Sequence, residues 1–240
     1  MPLRTASALR WLATLALGVA FVHGVAWGRW ALSFATDPWA RNHGLAVSGG
    51  LSGGRSITPV GSDHRTASPV LAAAGRQYVH PDVAALLDEA FAAERENHAR
   101  RAGAPGSPWR VAETGWRPGG WFPPHLTHQD GLSVDVVTPL TDGRIPTGLL
   151  SGFGYAVELT PDGAVVGGEG TADLHRLARF FDAVCRSAPS HGLAVRQLIV
   201  WGPWHGVLRG KMRSTCRGAL VDAALPHDDH VHLTLTRSDR

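Results

Sequence analysis

Five of the thirteen histidines fall in two short segments, Pro124-His125-Leu126-Thr127-His128-Gln129-Asp130-Gly131-Leu132-Ser133-Val134-Asp135 and Pro226-His227-Asp228-Asp229-His230-Val231-His232. A lone histidine is most often a surface residue or a hydrogen-bonded core residue. Two clusters that combine imidazoles with carboxylates point instead to a metal, because neutral imidazole is the commonest metal ligand. Side chains alternate along an extended chain, so Ser133 and Asp135 share one face of a strand while Val134 and Val136 share the other. Asp135 is thereby a candidate oxygen ligand. The same period of two places His230 and His232 on one face, where both rings can approach one point.

Imidazole and carboxylate ligands suit Zn²⁺, which takes three protein ligands plus water in catalytic sites and four protein ligands in structural ones. Zinc lowers the pKa of bound water to about 7, which supplies hydroxide near neutrality, and a leftover histidine can then move protons. Calcium fits poorly, since imidazole is a weak ligand for it and no Asp-x-Asp-x-Asp-Gly loop occurs.

The elements that must position these residues are legible in outline. Strands are expected over Trp109–Gly115, Leu132–Val137, Gln197–Trp201 and Val231–Thr236, the last alternating apolar Val231, Leu233 and Leu235 with polar His230, His232 and Thr234. A helix opens at His80-Pro81-Asp82 with Val83, Leu86, Leu87 and Phe91 at helical spacing and ends near Arg101. A second, over Asp173–Arg186, turns Leu174, Leu177, Phe180, Phe181 and Val184 inward. Arg117-Pro118-Gly119-Gly120 and Pro161-Asp162-Gly163 read as turns, and the Gly-, Ser- and Thr-rich stretch 48–68 reads as irregular backbone. Strands and helices alternate irregularly, without a repeat or a Gly-rich phosphate loop, which implies a compact α+β domain over 76–240 rather than a nucleotide fold.

The first thirty residues have the character of an export signal or an N-terminal membrane anchor. Arg4 and Arg10 precede an apolar run from Trp11 to Val22, and Ala26-Trp27-Gly28 offers small-x-small cleavage chemistry. Residues 31–75 are then a linker and an irregular segment, and the rest of the chain leaves the cytoplasm. In an oxidising compartment Cys185 and Cys216 are free to pair, although their spacing fits no zinc pattern. The formal charge of +3 comes without a basic run, which argues against nucleic acid and remains compatible with an anionic wall polymer. Trp201 and Trp204 follow an apolar strand, so core packing is a simpler role for them than lining a groove.

The pattern His-x-x-His-Gln-x-Gly-Leu-x-Val-Asp at 125–135, with His-x-x-His-x-His at 227–232, resembles the penicillin-insensitive murein endopeptidases, relatives of the D-Ala-D-Ala metallopeptidases. Weaker support comes from Gly75-Arg76-Gln77-Tyr78-Val79-His80-Pro81-Asp82, from Arg117-Pro118-Gly119-Gly120 and from Gln197-Leu198-Ile199-Val200, and the likeness runs in order over residues 48 to 236. It implies a small, mostly antiparallel sheet flanked by helices, and one zinc ion held by His128, Asp135 and His232. It further implies His230 as the catalytic base with His227 beside it, while His125, Gln129 and Arg117 bind substrate or support the ligands. The implied reaction is hydrolysis of the D-alanyl to meso-diaminopimelyl cross-link of peptidoglycan stems in the periplasm. The alternatives are a D-Ala-D-Ala carboxypeptidase or dipeptidase of the same fold and a non-catalytic wall-binding protein with structural zinc. Two departures bear on specificity: Ser133 stands where the family usually has aspartate, and Ala224-Leu225-Pro226 replaces an Arg-Pro-aromatic run.

Overall fold

A computed structural model describes residues 3–34, 40–143, 157–213, 215–222 and 227–238. The segment Ala224-Leu225-Pro226 lies outside the described residues. The chain opens with helix α1 (Leu3–Ser33), and its part Ala8–Ser33 is long and apolar enough to cross a membrane, with a mean hydropathy of 1.5. The helix runs unbroken through Ala26-Trp27-Gly28. Its final turns meet the body, where Ala26 is buried and Arg29 Nε donates to the Ala73 carbonyl at 2.8 Å.

Stretch 48–68 is more ordered than its composition suggests. A hairpin of β1 (Arg41–Leu45) and β2 (Ser48–Ser52) is followed by short strands β3 (Arg55–Ser56) and β4 (His64–Thr66). Helix α2 (Pro69–Ala74) begins at Ser68, whose hydroxyl accepts from the Leu71 amide, and β5 (Tyr78–Val79) then pairs with β3. Helix α3 (Pro81–Ala102) starts as the sequence predicts. Pro81 occupies the first turn, the His80 ring accepts from the Asp82 amide, and Gly103 closes the helix in the left-handed conformation.

Strands β6 (Trp109–Val111), β7 (Ser133–Val137), β8 (Leu193–Val200), β9 (Leu220–Asp222) and β10 (His230–Arg237) join β4 in one sheet of order β4-β6-β7-β10-β8-β9. The four central strands are antiparallel and both edge strands are parallel to their neighbours, so the sheet is mixed. The fold is α+β. Helix α4 (Leu174–Ser187) is capped by the Asp173 carboxylate, which accepts from the Arg176 amide at 2.8 Å. It packs with α3 on one face of the sheet. Phe91 stacks on Phe180 at 5.0 Å between ring centres, and Leu177, Phe181 and Val184 join Val134, Val136, Val231 and Leu233 in the core. The buried Glu94 carboxylate is satisfied at this helix interface by Arg176, Arg179 and the Trp109 indole. Cys185 and Cys216 form a disulfide, and helix α5 (His205–Lys211) follows buried Trp204, whereas Trp201 stays half-buried against the core.

Candidate metal centre

The sheet register creates the site. In the β7–β10 ladder His232 is directly opposite Asp135, with Leu233 opposite Val134 and Val231 opposite Val136. The valines and leucine enter the helix-covered core, which leaves Asp135 and His232 on the other face. His232 Nδ1 lies 2.8 Å from Asp135 Oδ1, and its Nε2 lies 3.1 Å from the Thr234 hydroxyl. Both side chains are buried.

His128 arrives from the loop before β7 with φ of 69°, in the left-handed region that non-glycine residues adopt uncommonly. The tight approach of Gly115 to the His128 carbonyl, where a Cβ would stand only 2.7 Å away, helps to hold that conformation. His128 Nδ1 is 3.2 Å from the Thr114 carbonyl, which can only accept, so this nitrogen carries the proton. The opposite nitrogen, Nε2, is buried without a hydrogen bond and stands 3.2 Å from Asp135 Oδ2. His128 and His232 meet edge to face, with ring centres 4.6 Å apart.

His125 closes on the same point: His125, His128 and Asp135 each place a ligand atom within 4.8 Å of the other two. The group can hold a metal ion. An orphaned ring nitrogen facing a carboxylate oxygen is the arrangement that a cation between them would satisfy, and the donor set of imidazoles and carboxylate fits zinc. His125 Nε2 is tied to Glu113 Oε2 at 2.6 Å, and the other Glu113 oxygen pairs with Arg76 Nε. Arg76 also donates to the Pro123 carbonyl at 2.8 Å and lies over the Phe122 ring, fastening the loop that carries His125.

His230 hydrogen-bonds through Nδ1 to Asp229 Oδ1 at 2.6 Å, and the His227 ring lies 4.6 Å from it centre to centre. Environment separates the two histidines of β10. Burial pushes His232 down to about 4, outweighing the attraction of Asp135, so the ring is neutral at pH 7, its Nδ1–H donating to the Asp135 carboxylate and its Nε2 accepting from the Thr234 hydroxyl. Burial acts on His230 in the same direction, but the charge of Asp135 and the hydrogen bond to Asp229 prevail and raise it above the ordinary imidazole range. Burial alone would raise Asp135. The charges of His128 and His230 and the hydrogen bond from His232 overcome it and hold the carboxyl well below the usual carboxylate range.

The group that could hold a metal is His125, His128 and Asp135, so His125 stands where His232 was expected; His232 lies beside it, bonded to Asp135 Oδ1 and to Thr234, and His230 is near enough to act on Asp135 electrostatically. Gln129 supports the loop rather than the ligands, since its Nε2 donates to the Leu126 carbonyl and its amide to Ala46. Arg117 is exposed on its turn, and among the described residues its side chain forms no hydrogen bond or ion pair with the site. Glu113, Arg76 and Asp229 join the site only through the fold, and of the three only Asp229, adjacent to His230, carries a local sequence signal. Ser133 Oγ is buried without a hydrogen-bond partner. The chain matches no protein-family model, and no curated protein sequence matches it.

Proposed function

We propose that the chain is an exported zinc-dependent hydrolase that cuts amide bonds next to D-amino acids in peptidoglycan, specifically the D-alanyl to meso-diaminopimelyl cross-link. The observation that carries this reading is the buried His128 Nε2 facing Asp135 Oδ2, with His232 on the other carboxylate oxygen. His128, Asp135 and His232 would hold the ion, which when bound supplies Lewis acidity at the scissile carbonyl and a water of lowered pKa. His230, raised in basicity and oriented by Asp229, delivers a proton to the leaving amine, and His227 packs beside it. Arg76 and Glu113 fix His125 at the mouth of the loop. The apolar helix α1 supports export or anchoring, and hence a periplasmic place of action.

The test is digestion of purified muropeptide dimers with and without chelator. Conversion of dimers to monomers without free alanine, abolished by chelator, is the expected outcome, whereas release of terminal D-alanine from uncross-linked stems identifies a carboxypeptidase. One observation favours a second, non-catalytic reading: His125 joins His128 and Asp135 within 4.8 Å, and His232, bonded to Asp135, would add a fourth protein ligand, as in a closed structural zinc site. Zinc bound by all four with no hydrolysis of any stem would establish that reading.

A further inference from the structure

The face of α4 turned away from the sheet forms one wall of a cleft of about 670 Å³, with α3 and the segment after α5 as its other walls. Phe180, Phe181 and Val184 separate it from the sheet, so it is independent of the metal centre on the sheet's opposite face. Arg101, Arg179, Arg186, Lys211, Arg213 and Arg217 line it, and Asp182 is the one carboxylate among the described lining residues. Six cations against one acid in a single cleft exceed the +3 formal charge of the whole chain.

Ion pairing within the protein does not account for this concentration. Arg179 is engaged by Glu94, but Arg101, Arg186, Lys211, Arg213 and Arg217 form no ion pair among the described residues. The Asp182 carboxylate accepts from the Arg213 backbone amide at 2.9 and 3.0 Å. Helix dipoles explain only half of the set: Arg101, Arg186 and Lys211 sit in last helical turns, whereas Arg179 is mid-helix and Arg213 and Arg217 lie beyond α5. Several cations are steadied by neutral partners, with Arg101 Nε bonded to Asn97 Oδ1, Arg217 Nε to the Met212 carbonyl, and Lys211 Nζ to the His175 ring. The Cys185–Cys216 disulfide ties the Arg213–Arg217 wall to α4. Clustered like charges repel at this range, and a multiply charged anion relieves that repulsion. The volume falls in the range of small-molecule sites, and guanidinium forks match phosphate oxygens.

We propose that this cleft binds a small anion carrying two or more phosphate charges, either a soluble phosphate ester or the phosphoryl headgroup of a lipid. The test is calorimetric titration of the full chain, held in neutral dodecyl maltoside, with inorganic pyrophosphate. Wild-type protein should bind one equivalent. The double variant Arg186→Ala/Arg213→Ala, its fold checked by circular dichroism, should bind at least tenfold more weakly. Arg100→Ala, on the same helix as Arg101 but paired with Glu96 outside the cleft, should bind like wild type. In a second arm, micelles doped with cardiolipin, whose headgroup carries two phosphate charges, that displace pyrophosphate, where phosphatidylcholine does not, assign the anion to lipid; failure to displace assigns it to a soluble ester. No binding of pyrophosphate, or equal binding by wild type and the double variant, overturns the proposal.

Discussion

His128 Nε2 stands 3.2 Å from Asp135 Oδ2, while Nδ1 of the same ring is committed to the Thr114 carbonyl. Two buried acceptors cannot face each other at that distance unless a positive charge, proton or metal, lies between them. Metal and acid therefore compete for one position, and occupancy by metal should be visible as stability.

Zinc at a hundredfold excess over its dissociation constant should stabilise the folded chain by about 2.7 kcal/mol, which for a domain of this size is roughly 5–10 °C in Tm. Differential scanning fluorimetry with zinc and with chelator measures the shift. In His128→Ala it should vanish. A wild-type Tm indifferent to chelator would refute metal binding at this centre.

The opposed environments of His230 and His232 separate their roles, since one ring is kept neutral and its neighbour two residues away is made more basic. His230→Ala should keep its zinc, measured by elemental analysis, and lose on the order of 10²- to 10⁴-fold in turnover of muropeptide dimers. Asp229→Asn should fall between wild type and His230→Ala. Full activity in His230→Ala removes this residue from the mechanism.

Glu113 is buried between Arg76 and His125, and removing its charge strands a guanidinium that is itself mostly buried. Glu113→Leu should cost about 3 kcal/mol in urea unfolding. Arg76→Met added to it should recover part of that loss, because the cost comes from the unpaired partner. If the double variant is as unstable as the sum of the singles, the pair is not the source.

How far the sequence reaches depends on the range of the forces involved. Periodicity is local, so α3, α4, β7 and β10 were legible, and the strict alternation of β10 placed His230 and His232 on the polar face. The strand expected over 109–115 stops at Val111, because Ala112 and Glu113 bond to Asp135 through irregular backbone pairing instead. The short strands within 48–68 leave little local trace because three-residue pieces such as His64–Thr66 are stabilised by a distant neighbour, here Trp109–Val111. Glu113 has the same character. Nothing in its local sequence marks it, since its role exists only once Arg76 and His125, 37 and 12 residues away, converge on it.

Acid should weaken the metal-free protein well before its carboxylates titrate. Burial lowers His64, with Asp88 and Asp63 opposing; burial likewise lowers His80, with the Ala40 carbonyl opposing; and His232 is pushed to about 4. For each of these the unfolded chain binds the proton first, at the ordinary value near 6.5, so stability is complete above that pH and declines as pH falls below it. His230 has the opposite sign. Its raised value contributes stability below 6.5 that is lost as pH rises through its folded value, which offsets one of the three. Between pH 7 and 5 in chelator, Tm should therefore fall, and His64→Gln should flatten the slope by removing one of the depressed groups. A Tm that holds or rises over this interval would show that these rings accept protons as readily folded as unfolded.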